Sequence, residues 1–261
     1  MIGLLCILTH KMKSLAKNFL KLFGFEIKKI NSSTSTVPKH ETYFGFLSKI
    51  ISDYKIDYVL DIGASYGNWA SQLLEEDKSI KIISFEPLHH AFSELSKRCE
   101  SSTNWDCENL AVGEADKNCS IHVSKNSESS SLKKIMPAHI DAFPMSTTIN
   151  TQEVKVTSID TYLSKNTNLK GKIFLKIDVQ GYEKNVFNGS LSSLNRIPLL
   201  QLELSLTPLY EDEVLLNEWL AILENYNFYP IHFQNAFSHC VDKRLLQLDC
   251  IFLNGNIIKK F

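Results

Sequence analysis

VLDIGASYG, residues 59–67, decides how this chain folds. Val59, Leu60 and Ile62 form a short apolar run that reads as a buried strand, broken at Gly63 and Gly67 before a helical pattern begins. Glycine suits a position where the backbone bends tightly or is approached closely, because it has no Cβ to clash. The helix behind the turn aims unpaired N–H groups and a positive dipole end at the crevice in front of it. A Gly-x-x-x-Gly by itself is equally a tight turn with no ligand. The next strand, KIISFEP, ends in Glu86, 19 positions after Gly67. In a doubly wound sheet a carboxylate at that spacing lies beside the first turn and accepts hydrogen bonds from two ribose hydroxyls. The pattern therefore predicts a nucleoside in a crevice made by Asp61, Gly63, Gly67 and Glu86. Ala64 and Ser65 interrupt the glycine pattern that close approach to a pyrophosphate requires, so an adenosine without phosphates fits better than a dinucleotide.

Outward from this stretch, strand and helix alternate. Residues 43–54, 68–76, 88–99 and 212–226 read as helices, and residues 105–112, 173–179, 199–205, 229–233 and 250–253 as further strands. That alternation predicts an α/β fold with a mostly parallel sheet covered on both faces, and 261 residues at 44% hydrophobic content suffice for one such domain. Asp178, at the carboxyl end of a central strand, is placed where ligands of open α/β sheets bind, or else caps the helix that follows. Glu183 falls in the first turn of that helix, where the dipole favours a negative charge. Glu203 ends the fifth strand and also faces the crevice. His232, in an aromatic strand, is either a base or a packed edge residue. Residues 124–148 break the alternation and are expected to form a lid or acceptor-facing insertion, or a plain surface loop.

Charge bounds the partners. The formal net charge is −1, which gives no overall attraction for a polyanion, so no nucleic-acid substrate is expected. Residues 1–30 nevertheless hold six lysines (Lys11, Lys13, Lys17, Lys21, Lys28, Lys29) against Glu26, with Leu15, Phe19, Leu22 and Phe23 at helical spacing. This basic amphipathic pattern fits either peripheral contact with anionic lipid or a helix docked on the domain. NSSTSTVP, residues 31–38, has the composition of a connector, which divides the chain into a segment of residues 1–36 and a domain of residues 37–261. Six cysteines without C-x-x-C or zinc spacing suit a reduced cytoplasm, at most peripheral to the inner membrane face, and no metal ligands are read from them or from the histidines.

The stretches LDIGASYGNW, FEPLHHAFSEL, NLAVGE, VTSIDTYL, LKIDVQGYEKNVFNG and DCIFL, taken in order, resemble the FkbM family of methyltransferases, with LKIDVQGYE the most specific. The resemblance implies a class I methyltransferase fold, a Rossmann-like seven-stranded sheet with one antiparallel strand in a C-terminal hairpin and helices on both faces. It also implies S-adenosylmethionine as cofactor and a hydroxyl of a sugar, glycan or other small molecule as acceptor. The cofactor would be held by Asp61, Gly63, Ala64, Gly67, Asn68, Glu86, Pro87, Asn109, Ala111 and Asp178. Asp178, Glu183 and His232 are the candidates for the chemistry. Two rivals share the glycine turn and acidic residue: a nicotinamide-dependent oxidoreductase, and a non-catalytic binding or assembly subunit of the same fold.

Overall fold

The computed structural model describes residues 42–258. The basic segment and connector read in residues 1–36 lie outside them. In chain order the first elements are α1 (Tyr43–Asp53), β1 (Tyr58–Ile62), α2 (Asn68–Glu76), β2 (Ile82–Phe85), α3 (His89–Glu100), β3 (Trp105–Glu108), β4 (Ala111–Val112) and β5 (Lys117–Ser124). After them come α4 (Pro137–Ala142), β6 (Thr148–Thr157), α5 (Ile159–Lys165), β7 (Ile173–Ile177), α6 (Glu183–Asn188), β8 (Leu199–Ser205), α7 (Leu216–Asn225), β9 (Phe228–Ser238) and β10 (Leu245–Asn254).

Seven strands make the main sheet in the order β3-β2-β1-β7-β8-β10-β9. β1 runs parallel to β2 and β7, and β3 and β8 continue the parallel set; β10 alone is antiparallel to both neighbours. This is the expected mostly parallel sheet with a C-terminal antiparallel strand. The reversal of order at β1 opens a crevice at the carboxyl ends of β1, β2 and β7, where ligands of such sheets bind.

Alternation along the strands sorts side chains onto two faces. Leu60, Ile62, Leu175, Ile177, Leu200 and Leu202 point to one face and form an apolar core with Ile159, Phe187 and Trp219 of α5, α6 and α7. Val59, Ile82, Phe174, Leu199 and Ile251 point to the other and pack against α1, α2 and α3 through residues such as Leu47, Leu73 and Leu95. Thr42 starts α1 by accepting the Gly45 N–H on its hydroxyl, and Ser158 starts α5 by accepting that of Thr161.

The expectation of one strand over residues 105–112 needs correction. The segment breaks after Glu108, and Ala111–Val112 instead pairs with β6 in a separate three-stranded sheet, β4-β6-β5. Asn109 explains the break: its side-chain amide donates to the carbonyls of Glu86 and Pro87, turning the chain away from the main sheet. The small sheet carries the insertion between β5 and β6 to the crevice. The cysteines among the described residues are free, with Cys99 and Cys250 buried but Cys240 exposed. Among the described residues no helix is long and apolar enough to cross a membrane.

Gly63 holds a left-handed φ of +80°, and a Cβ there would lie 1.8 Å from the Asp178 carbonyl oxygen. The glycine is therefore required for β1 and β7 to close against each other. Gly63→Ala should lower unfolding free energy by more than about 3 kcal/mol, since backbone strain and a backbone clash act together. Chemical denaturation of that variant gives the test, and a loss below 1 kcal/mol on the order expected of a surface change would contradict it.

Candidate active site

On the face covered by α1, α2 and α3, the strands turn polar as they approach the crevice. Ser84, Asp61, Lys176 and Gln201 stand side by side across β2, β1, β7 and β8 in direct register, and all four are buried. Lys176 Nζ lies 2.9 Å from Asp61 Oδ1 and 3.5 Å from Asp178 Oδ2, and 5.4 Å from the centroid of the Trp69 ring. Burial alone would pull the lysine pKa down, but the two carboxylates outweigh it and hold the ammonium charged. Asp61 Oδ2 accepts from the Ser84 hydroxyl, which in turn accepts from Trp105 Nε1.

Two residues farther along each strand comes a second row at the crevice itself: Glu86, Gly63, Asp178 and Glu203. These four line one cavity of ≈ 330 Å³, together with Ser65 and Asn68 from the glycine turn and Ser127, Glu128, Ser130 and Ser131 from the insertion. Within residues 124–148, Ser127 to Leu132 thus supply a wall of the cavity. Its ties at the cavity are the Ser127 hydroxyl to Tyr66 Oη, the Ser129 carbonyl to Tyr210 Oη, and the Ser131 hydroxyl to the Gln180 carbonyl.

The acids of this row differ in environment. Glu86 accepts the Ser65 N–H on one oxygen and the Leu88 N–H on the other, both at 2.8 Å. Burial nevertheless pushes its pKa up to about 7, because two backbone donors do not replace full hydration. Glu203 is held well above the usual carboxylate range by burial and by the charges of Asp178 and Asp249. Asp178 is about a third exposed, its side chain 31% accessible. Gln180 Nε2 donates to Asp178 Oδ1 at 2.9 Å and to Glu203 Oε2 at 2.7 Å.

Of the residues singled out in the sequence, Gly63, Ala64, Asn68, Glu86, Pro87, Ala111 and Asp178 line the cavity. Five other candidates do not, for reasons visible in their contacts. Asp61 is fully buried behind the second row and engaged by Lys176 and Ser84. Gly67 faces α3 and β3: a Cβ there would meet Leu95 and Trp105 at 2.7 Å. Asn109 is occupied by the turn at Glu86 and Pro87. Glu183, the first residue of α6, accepts the Val179 and Gly181 N–H groups, so its carboxyl is engaged by the backbone of the turn before the helix. His232 lies on the edge strand β9, stacked on Phe46 at 4.5 Å and Tyr43 at 5.8 Å, with burial lowering its pKa. Lys176 and Ser131 were not singled out in the sequence. The available signal was Lys176-x-Asp178, whose alternation puts two polar groups on one face at the strand end.

A family model, the Methyltransferase FkbM domain, matches residues 61–230, which include both polar rows. The chain belongs to the FkbM methyltransferase family. No protein of curated function matches it in sequence. Among solved structures it is similar to the methyltransferase FkbM of Methylobacillus flagellatus (15% identity, 75% of this chain and 43% of that one, TM-score 0.46). It is also similar to an rRNA methylase of Streptococcus thermophilus (12%, 81% and 93%, TM-score 0.42). A third is fibrillarin of Aeropyrum pernix with bound S-adenosylmethionine (10%, 76% and 66%, TM-score 0.43). The chain spans less than half the length of the Methylobacillus protein. The expectation that nucleic acid is excluded is withdrawn: proteins of this architecture include enzymes named for RNA, such as the rRNA methylase, so a near-neutral net charge does not exclude such a substrate.

Burial and then the charge of Glu213 push the Glu183 pKa up to about 8, against 4.5 for an ordinary glutamate. A group with a raised folded-state pKa contributes stability that is present below 4.5 and lost as pH rises through 8. Gln keeps an acceptor oxygen for the two N–H groups and carries no charge. The melting temperature of Glu183→Gln relative to the parent should therefore rise steadily from pH 5 to pH 8.5, roughly the span over which the parent must ionise this group. A difference that is flat with pH would contradict the preference of the folded chain for the protonated carboxyl.

Proposed function

We propose that the protein is an S-adenosylmethionine-dependent O-methyltransferase whose acceptor is a hydroxyl of a sugar, glycan or other small molecule. The observation that carries the proposal is the placement of Glu86 and Asp178 on either side of Gly63 in one cavity. The first residue serves a nucleoside and the second a reacting hydroxyl. The cavity wall suits the cofactor. Ser65 Oγ is buried without a hydrogen-bond partner, and Glu86 and Asn68 add polar groups on the same side. Family membership favours this reading over a nicotinamide-dependent one.

Ser65, Asn68, Glu86, Pro87 and Ala111 would hold the nucleoside portion. When bound, the cofactor supplies a methyl group on a sulfonium, an electrophile strong enough that the chain's main task is alignment. Asp178 is the group placed to accept the hydroxyl proton as the oxygen forms its new bond to carbon. Lys176, buried beside it, keeps that carboxylate in position and balances the negative charge of the row. The wall of serine hydroxyls and the Glu128 carboxyl from the insertion offers hydrogen bonds to an acceptor rich in hydroxyls.

Calorimetry with S-adenosylhomocysteine tests the cofactor. Ribose hydroxyls donate to ionised Glu86, so a pKa near 7 makes binding tighten as pH rises. Affinity should increase by about tenfold between roughly pH 6 and pH 8, and Glu86→Gln should remove this dependence. Absence of binding at every pH would favour the non-catalytic scaffold instead. For the chemistry, Asp178→Asn should leave S-adenosylhomocysteine affinity near normal while reducing methyl transfer by roughly 10²–10⁴-fold, the loss typical of a missing general base. Full turnover in that variant would remove Asp178 from the reaction.

A further inference from the structure

We propose that Gln180 is the positioning residue of this site, a neutral amide that holds two carboxyls together where a cation would otherwise be needed. Its catalytic meaning rests on the role given to Asp178 above. One nitrogen, Gln180 Nε2, donates to Asp178 Oδ1 at 2.9 Å and to Glu203 Oε2 at 2.7 Å, using both of its hydrogens. The amide cannot be turned over. Its Oε1 accepts from Tyr210 Oη at 2.6 Å, and a flip would point that oxygen at two carboxyl oxygens while leaving the Tyr210 hydroxyl to face an NH₂ group.

The backbone is arranged to deliver this side chain. Gln180 has φ +59°, a left-handed conformation that costs a non-glycine residue on the order of 1 kcal/mol. Gly181 follows at φ +88°, and a Cβ there would lie 2.5 Å from Tyr210 Cβ. The Val179 and Gly181 N–H groups are fixed by Glu183, and the Gln180 carbonyl by the Ser131 hydroxyl. A glycine would hold this turn with less strain, so the reason for a glutamine lies in its side chain. Glu203 is steadied from the other side by Gln247 Nε2 at 2.9 Å, which leaves the Asp178 oxygens held by Gln180 and Lys176 and open to the cavity.

Without the amide, Asp178 and Glu203 would confront each other in a neighbourhood that already contains Glu183, Glu213 and Asp249, with Lys176 as the nearby cation and the Tyr210 hydroxyl as the nearby neutral donor. The two carboxyls could then coexist only by sharing a proton or by taking up a cation. Both consequences are measurable on the ligand-free chain. Gln180→Leu keeps the bulk and removes the donors, so Glu203, already reluctant to ionise beside Asp178, holds its proton to a higher pH in the folded variant than in the parent. Its folding constant relative to the parent should fall by up to about tenfold per pH unit over the range in which the parent has lost that proton and the variant has not. A merely packing role would give a loss that does not change with pH, and that result would overturn the proposal. Gln180→Glu places a third carboxylate between the other two and should create a site for a hard cation. Millimolar Mn²⁺ should then raise the melting temperature of Gln180→Glu and leave the parent's unchanged. An equal rise in both proteins, or none in the variant, would overturn the assignment. Neither arm uses the cofactor, so failure of S-adenosylhomocysteine to bind the parent would sink the proposed function and leave the pairing of the two carboxyls by Gln180 intact.

Discussion

The constraint on which this structure depends is the burial of Lys176 against Asp61 in the middle of the sheet. Removing both charges from water is costly, and a single partner left behind would be more costly still. The chain meets this with a second acid at 3.5 Å, a serine and tryptophan relay behind Asp61, and an aromatic face beside the ammonium. Because the pair joins β1 to β7 at the point where strand order reverses, it fixes the floor of the crevice and the spacing of everything above it. Gly63 adds the steric half of the same constraint, bringing the end of β1 against the Asp178 carbonyl with no room for a side chain.

Above that floor the acids are separated by environment rather than by residue type. Glu86 is poised near neutrality by burial, Glu203 is held well above the usual carboxylate range, and Asp249, opposite Glu203 in the antiparallel register, is pushed up to about 6 by burial. A cavity lined by several carboxyls thus carries less negative charge than its composition suggests. Such divergence between neighbouring acids is how one site provides both hydrogen-bond donors and acceptors at a single pH.

Much of this was legible in the sequence because it depends on local pattern. The run from Val59 to Gly67 has a strand signal and glycine punctuation, and Glu86 and Asp178 follow from being the last residues of apolar runs. The residues that misled share one property: their residue type is ambiguous until the side chain's direction is known. Asp61 is an acid before a glycine turn, yet strand alternation turns it under the floor. Glu183 is an acid after Asp178, yet two backbone N–H groups claim it. Gly67 looks like a ligand-contact glycine, and it serves close packing of α2 against α3 and β3. The small second sheet was hidden because its register rests on pairing between residues 117 and 156, a long-range contact with no local signature.

The sorting of side chains onto two faces has an evolutionary consequence. Along β7 and β8 the residues that shape the crevice alternate one by one with those that fill the core under α5, α6 and α7. A mutation at Asp178 or Glu203 alters the pocket without touching Leu175, Ile177, Leu200 or Leu202, and the reverse also holds. Selection can therefore act on chemistry and on foldability as nearly independent traits within one short segment of gene, so that lineages diverge in acceptor choice while inheriting the same scaffold.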